Sequence, residues 1–327
     1  MNTKRVMKIL AGVTFVAALQ CAAAFEPSET ECIAPANRGG GWDFTCREVG
    51  ELLSELELVP GTVEVTNMPG EGGGVAFEYV VRERAEDPNL LVAASTATLT
   101  QLAQKRFPEL DRTMVRWLAA MGADYGVIAV AQDSPYQNLG DLVAAMKENP
   151  NAVNVGGGSA IVGFDHLKLL LVAMAGGVED LRQVKYVPFL GGGEALLQVM
   201  NGHLQAFSGD VSEVVEEVAS GEVRALAVLW EERLPGELAE IPTAVEQGFD
   251  VVASNWRGFY MPKDTPDDAY AYWVDSLQTV YDSPEWKQMM TSAGLLPFWK
   301  SGPELQTFVD QQIADIEALS RKIGLIQ

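Results

Sequence analysis

Four times in this chain, a run of three consecutive glycines stands between a β-prone segment and an amphipathic helical segment. A strand has to end and a helix has to begin at each copy, so the repeat dictates the order of the secondary structure. The glycine runs occupy positions 39–41, 72–74, 156–158 and 191–193. The predicted strands before them are 32–35, 62–66, 152–155 and 184–187, and the predicted helices after them are 43–56, 75–84, 162–175 and 194–200.

This alternation predicts an α/β fold whose sheets are mostly parallel and flanked by helices. The glycine runs form two pairs, with a spacing of 33 residues in the first pair and 35 in the second. More than 80 residues separate the two pairs. We therefore expect two lobes, each with two glycine loops at the carboxyl edge of its sheet, and a ligand cleft between the lobes.

Glycine loops at helix starts can serve as anion sites. A residue without Cβ lets the backbone take positive φ and approach a ligand closely, and the first N–H groups of a helix have no partner within it. Those groups carry partial positive charge, so they can hold a carboxylate without a cationic side chain. The alternative is that the glycines only form tight turns and allow close packing.

The first 24 residues have the layout of a secretory signal peptide. Its parts are the basic residues Lys4, Arg5 and Lys8, the apolar stretch 9–19 and the small residues 22–24. Cys21 raises the alternative of a lipoprotein, although Gln20 is a poor residue to precede a lipidated cysteine. Cleavage after Ala24 would place a soluble mature protein in the periplasm, and the remaining sequence contains no other stretch suited to span a membrane.

The strongly acidic composition argues against nucleic-acid binding. Asp and Glu number 45 against 23 Lys and Arg, which gives a formal net charge of −22. Such a chain repels phosphate backbones.

Two cysteines, Cys32 and Cys46, remain after cleavage. In an oxidising compartment, a close pair predicts a disulfide, which stabilises the fold by about 3 kcal/mol in a chain-entropy estimate. Two buried free thiols are the alternative. No further ligand stands near them for a zinc site, and we expect neither metal nor cofactor.

Catalytic motifs are scarce. The two histidines, His166 and His203, have no base or nucleophile at a catalytic spacing, and we interpret both as structural. The sequence contains no phosphate-binding loop, dinucleotide fingerprint, nucleophile elbow or zinc-protease motif. We therefore expect a binding protein rather than an enzyme.

Eight short runs resemble the solute receptors of the tripartite tricarboxylate transporters. They are ECIAPA at 31–36, GGGWDFTC at 39–46, MPG at 68–70, ADYG at 123–126, GGGE at 191–194, SGD at 208–210, RLPG at 233–236 and RGFY at 257–260. Their order covers essentially the whole mature chain. The resemblance implies a two-lobed periplasmic binding protein of type II-like fold that closes on a carboxylate.

The resemblance also implies where the ligand binds. In the first lobe it points to Ala36, Asn37, Arg38, Gly39, Gly40, Gly41 and Trp42, to Pro69, Gly70, Gly72, Gly73 and Gly74, and to Ser95 and Thr96. In the second lobe it points to Gly157, Gly158, Ser159, Phe189, Gly191, Gly192 and Asp210. Arg38 departs from the small residue expected in its loop; it could pair with a ligand carboxylate or be a solvated surface residue.

We expect residues 25–125 and 253–327 to form lobe I and residues 126–252 to form lobe II, with crossing segments near 125–126 and 256–257. The leading hypothesis is a monomeric periplasmic receptor that delivers a citrate-type tricarboxylate to the membrane permease of such a transporter. Alternatives are a receptor for a dicarboxylate or an aromatic acid, and one that presents its ligand to a membrane sensor kinase. A secreted lyase or hydrolase is a third class.

Overall fold

The computed structural model describes residues 25–38, 41–189 and 191–326. The predicted signal peptide, Cys21, Gly39 and Gly40 lie outside the described residues. Within the described part of the chain, no helix has the length and apolar character needed to cross a bilayer.

Ten strands and ten helices make up the regular structure of the described residues. The strands are β1 (Glu31–Ala34), β2 (Glu64–Asn67), β3 (Leu90–Ser95), β4 (Val115–Ala131), β5 (Asn154–Gly157), β6 (Lys185–Pro188), β7 (Ala206–Asp210), β8 (Val223–Leu229), β9 (Ser254–Pro262) and β10 (Lys300–Ser301). The helices are α1 (Gly41–Glu55), α2 (Gly74–Glu83), α3 (Thr96–Ala103), α4 (Leu139–Glu148), α5 (Phe164–Ala175), α6 (Gly192–Met200), α7 (Val215–Ser220), α8 (Asp267–Asp282), α9 (Pro284–Ser292) and α10 (Gly302–Lys322).

The strands form one continuous sheet in the order β2-β1-β3-β9-β4-β7-β5-β6, and β8 and β10 also pair with β4. The outer strands of each half, β2-β1-β3 and β6-β5-β7, are parallel. The central strands β9 and β4 are antiparallel to their neighbours. The predicted α/β class is confirmed. The antiparallel centre is a feature that the glycine repeat does not predict.

Strand β4 runs through both halves of the sheet. Its first part pairs with β9 as far as Tyr125, which lies opposite Ser254. From Gly126 onward it pairs with β7 and β8 instead. The chain therefore exchanges partners at residues 125–126, and the residue limits given above for the two lobes remain a prediction.

The C-terminal helices return to the first half of the molecule. Trp273 of α8 and Trp286 of α9 are fully buried in a cluster with Leu52 of α1 and Met261 of β9. The indole N–H of Trp286 donates to the carbonyl of Met121 at 2.9 Å, so this large side chain is buried without losing its hydrogen bond.

The predicted disulfide between Cys32 and Cys46 is present. It joins β1 to the first turns of α1, and both cysteines are almost completely buried. The free-thiol alternative is therefore wrong. Because the bond closes the loop that contains the first glycine run, it holds that loop at both ends.

Three of the four glycine runs begin a helix: α1 begins at Gly41, α2 at Gly74 and α6 at Gly192. The third run does not, and the helix that follows it starts two residues after the predicted position. Helix α5 begins at Phe164, because Val162 takes a left-handed φ of 67° that cannot continue a helix. Asp43 lies inside the first turn of α1.

Candidate functional site

A cavity of about 510 Å³ lies between the two halves of the molecule, at the carboxyl ends of the parallel strands. Each glycine loop contributes to its lining, through Gly41, Gly72, Gly158 and Gly191. Parallel strands end at the same edge of a sheet, so the sequence repeat brings four loops to one place.

Four helices begin at the cavity wall. Gly41 opens α1 and Gly192 opens α6, so N–H groups without a partner inside the helix stand at the cavity edge. Helices α3 and α5 also begin there, but the Ser95 hydroxyl accepts a hydrogen bond from the N–H of Ala97 at 3.2 Å, and the Ser159 hydroxyl accepts one from the N–H of Asp165 at 3.0 Å. The starts of α1 and α6 therefore offer the site partial positive charge, whereas those of α3 and α5 are capped by side chains.

The second glycine loop requires glycine for two separate reasons. Gly72 and Gly73 have φ values of 59° and 91°, which side chains with a Cβ rarely adopt. A Cβ on Gly72 would also lie 2.6 Å from the amide nitrogen of Gln101, and one on Gly73 would lie 3.3 Å from the Trp42 ring. The backbone thus packs directly on two side chains that line the cavity, Gln101 and Trp42.

Among the described residues that line the cavity, Arg257 is the one with a cationic side chain. It lies on β9, and its guanidinium packs against the backbone of Gly41, where a Cβ would be 3.0 Å from three guanidinium atoms. No described residue gives this side chain a hydrogen bond or an ion pair. A guanidinium that is partly withdrawn from water without a counter-charge is a binding group for a planar anion.

Lys168 of α5 lies behind the opposite wall of the cavity and is fully buried. Its Nζ lies 2.8 Å from Asp165 Oδ1 and 2.5 Å from Asp210 Oδ1, and it donates to the carbonyl of Gly209 at 2.6 Å. Burial lowers the pKa of Lys168, but the two carboxylates outweigh this effect and hold the pKa above its ordinary value. The lysine is therefore a charged structural group, and each of its three N–H donors has one of these oxygen atoms as its acceptor.

Glu213 adds a third carboxylate to the wall formed by Asp165 and Asp210. Its Oε2 accepts the N–H of Asp210 at 2.8 Å, and its Oε1 packs against the backbone of Gly192. Burial, followed by repulsion from Asp210, raises the pKa of Glu213 to about 7. We call Asp165, Asp210 and Glu213 the acidic wall.

Asn255 connects the two sides of the cavity. It lies two residues before Arg257 on β9, and it donates from Nδ2 to Asp210 Oδ2 at 3.1 Å. Residues two apart on a strand share a face, so Asn255 and Arg257 both point toward the cavity that they line.

Residues 159–163 form a lip over the cavity. The N–H of Val162 donates to His166 Nδ1 at 3.0 Å, and its carbonyl accepts from Gln104 Nε2 on the opposite half at 3.0 Å. The imidazole of His166 stacks on the ring of Tyr186. Burial lowers the pKa of His166 to about 4, so the neutral ring is the form that accepts this bond. Its role is to hold the lip.

The structure brings nine of the residues predicted for the site to the cavity. They are Gly41, Trp42, Gly72, Ser95, Gly158, Ser159, Gly191, Gly192 and Asp210. Ten others do not line it: Ala36, Asn37, Arg38, Pro69, Gly70, Gly73, Gly74, Thr96, Gly157 and Phe189. Arg38 is exposed to solvent, which agrees with its interpretation as a surface residue.

The reason that some of these residues stand apart is packing. Gly157 belongs to β5, where a Cβ would meet the carbonyl oxygen of Ser208 at 2.5 Å. Gly158, its neighbour, packs on the backbone of Gly191 and Gly192. The third glycine run therefore serves close backbone contact, the alternative given above for such glycines. The hydroxyl of Thr96 donates a hydrogen bond to the carbonyl of Ser254 at 2.7 Å.

Sequence reasoning missed ten lining residues: Ala97, Thr100, Gln101, Ala160, Gly163, Phe164, Asp165, Glu213, Asn255 and Arg257. For two of the charged lining residues, Asp165 and Glu213, the sequence contains a spacing that indicates a contact with a nearby charged residue. Asp165 and Lys168 are one helical turn apart, and Glu213 follows Asp210 by three residues, a spacing typical of capping interactions. No local pattern distinguishes Arg257.

Among the described residues, no group of three or more histidine, cysteine, aspartate or glutamate side chains is arranged to hold a metal ion. In the acidic wall, the ammonium of Lys168 occupies the position between two of the carboxylates.

Comparison with known proteins identifies the family and the fold of this chain. The family model described as "Tripartite tricarboxylate transporter family receptor" matches residues 47–325. A UPF0065 protein of Bordetella pertussis is 24% identical over 300 residues, which cover 90% of this chain and 88% of that protein.

Two solved structures illustrate the shared fold. A TctC solute binding protein from Polaromonas, solved without ligand, is similar with a TM-score of 0.78 at 23% identity, over 90% of this chain and 98% of the other. MatC from Rhodopseudomonas palustris, solved with bound malate, has a TM-score of 0.69 at 21% identity, over 90% and 99% of the two chains. The family and fold are those of solute-binding receptors, not of enzymes.

Proposed function

The chain belongs to the receptor family of the tripartite tricarboxylate transporters, and from that premise we propose that it binds a small organic carboxylate in the cavity between its lobes. The bound carboxylate is then presented to the membrane permease of such a transporter. Residues 25–125 with 253–327 form the first lobe and residues 126–252 the second, so the cavity lies where the lobes meet.

The observation that carries this proposal is the environment of Arg257. Its guanidinium lines the cavity without a counter-charge from the described residues, beside the N-terminus of α1 at Gly41. Both groups attract the same kind of ligand, because a helix start and a planar cation favour a carboxylate. Trp42 and Phe164 supply apolar surface around this position.

The identity of the acid is a finer proposal. MatC, which has a similar fold, was solved with bound malate, a small dicarboxylate. A citrate-type tricarboxylate remains a prediction for this chain, and a dicarboxylate or an aromatic acid remains its alternative. A fully ionised tricarboxylate would bring two further negative charges close to the acidic wall, so the charges of the cavity favour a ligand with fewer carboxylates.

We further propose that the protein acts in the periplasm as a monomer after removal of residues 1–24. Delivery to a permease and presentation to a sensor kinase require the same binding step and differ only in the partner. Copurification of the liganded protein from membranes would separate them, because each outcome yields a different membrane protein.

Thermal unfolding against a panel of acids tests the binding step. The panel contains citrate, isocitrate, tricarballylate, succinate, glutamate and terephthalate. A ligand at 100 times its Kd should raise the free energy of unfolding by about 2.7 kcal/mol. Arg257→Gln should abolish the rise, and Arg38→Gln, which removes an exposed cation outside the cavity, should leave it unchanged. A protein that responds to no carboxylate would contradict the proposal.

A further inference from the structure

The cavity is electrically polar, with one cation on one side and three carboxylates on the other. Arg257 lies on β9 in the first half of the molecule, and the acidic wall of Asp165, Asp210 and Glu213 lies in the second half. Asn255 shares a strand face with Arg257 and contacts Asp210, so the two charged regions are only two residues apart along β9.

The acidic wall contains more negative charge than its own cation neutralises. Lys168 forms an ion pair with one carboxylate oxygen of Asp165 and with one of Asp210. No other described cation forms an ion pair with the acidic wall. The remaining Oδ2 of Asp165 and the Oε1 of Glu213 have no hydrogen-bond donor among the described residues. These oxygens belong to residues that line the cavity.

Such a wall discriminates between ligands by charge. A second carboxylate placed against it would meet ionised groups of the same sign in a partly desolvated site. A protonated amine would instead find acceptors that are already oriented and would supply the missing positive charge. Unlike charges at the two ends of the cavity therefore favour one orientation of one kind of molecule.

We infer that the ligand is a zwitterion, whose carboxylate binds Arg257 and whose protonated amine binds the acidic wall at Asp165 and Glu213. This inference rests on the proposed function, since it specifies the class of carboxylate that the same cavity accepts. The class comprises amino acids and related amino carboxylates.

Matched pairs of ligands that differ only in the amine test the inference. Isothermal titration of the purified protein at about pH 8, above the raised pKa of about 7 of the Glu213 carboxyl, would compare L-aspartate with succinate and L-malate. It would also compare L-glutamate with glutarate, and 4-aminobutyrate with butyrate. We expect at least one amine to bind about tenfold or more tightly than its matched acids, the effect of one charged hydrogen bond.

Two variants separate the two ends of the ligand. Glu213→Gln keeps an oxygen that can accept the N–H of Asp210, so the local fold is preserved, and it should reduce the affinity for the amine while leaving the matched acid unchanged. Arg257→Gln should weaken the amine and the acid alike. Glu216→Gln, on an exposed acid of the same lobe, is the matched control and should change neither.

Three results would overturn the inference. Tighter binding of a diacid than of its amino counterpart would refute the zwitterion and leave the carboxylate receptor standing. An equal loss of affinity for both ligands in Glu213→Gln would show that this residue acts only on the structure. Absence of binding by every acid and amino acid, with Tm unchanged, would count against the receptor itself and against this inference with it.

Discussion

At the scale of single residues, Gly41 decides whether Arg257 can reach its place. The glycine opens α1, and the guanidinium occupies the space that a Cβ would need. A helix start and a cation are thereby combined at one point of the cavity. The glycine is therefore explained by a close approach, since it does not have a positive φ.

Gly41→Ala should weaken carboxylate binding about tenfold without lowering stability, because the methyl group displaces the guanidinium while alanine favours the helix. Titration with the ligand and thermal unfolding measure the two effects separately. Gly193→Ala is the matched control, since it also lies in the first turn of a helix and has open space around it. Unchanged affinity in Gly41→Ala would show that the position of Arg257 is unimportant.

Glu213 should make the stability of the ligand-free protein depend on pH. Its pKa is raised to about 7 in the folded protein, by burial and then by Asp210, so folding favours the protonated carboxyl. This contribution is complete below the ordinary carboxyl pKa and is lost as the pH rises through about 7. Asp165 and Lys168 also face the group and act in opposite directions.

We expect the free energy of unfolding to fall by about 2.5 kcal/mol between pH 5 and pH 8 through this group. Glu213→Gln should remove that part of the slope, and Glu216→Gln should retain it. Denaturant unfolding at several pH values provides the measurement. The buried Asp124, whose pKa is also raised by burial and by Asp210, adds a slope of the same sign that both variants share. Parallel curves for Glu213→Gln and the unmodified protein would contradict the assignment.

At the scale of elements, the lip formed by residues 159–163 connects α3 of one half to α5 of the other. Val162 is held through its N–H by His166 and through its carbonyl by Gln104, although its left-handed φ is unfavourable for a β-branched residue. Gln104 is itself buried, and its amide reaches across the mouth of the cavity. This hydrogen bond joins the two halves of the molecule beside the cavity.

Gln104→Ala should therefore speed ligand release about three- to tenfold, the effect of one lost hydrogen bond, and change the association rate little. Stopped-flow measurement of both rate constants tests this prediction. His166→Gln addresses the other anchor of the same residue and should act in the same direction. A change confined to the association rate would mean that the lip does not retain the ligand.

At the scale of the whole molecule, the net charge of −22 opposes folding through self-repulsion. Screening of exposed charges should therefore stabilise the protein. We expect Tm to rise by about 2 °C or more, equivalent to about 1 kcal/mol, when NaCl increases from about 10 mM to about 500 mM. KCl should have the same effect because screening depends on ionic strength. A salt-independent Tm, or different responses to the two salts, would contradict the screening explanation.

The local parts of this fold could be predicted from the sequence because they depend on neighbouring residues. The glycine runs mark the ends of β1, β2, β5 and β6, and they start three helices, since glycine changes backbone conformation where it stands. The close pair Cys32 and Cys46 predicted its disulfide in the same way. Nine predicted residues reach the cavity because parallel strands deliver their loops to one edge.

The tertiary structure alone decided the charges of the site. Arg257 opposes Gly41 from far along the chain, and Lys168 gathers Asp165 and Asp210 from a helix and a strand end. These contacts depend on the antiparallel strands β9 and β4, which join the two halves of the molecule. Neither strand is followed by a run of three glycines, so the repeat does not predict them. A repeat in sequence specifies conformation over a few residues, whereas the pairing of distant charges depends on which strands pack side by side.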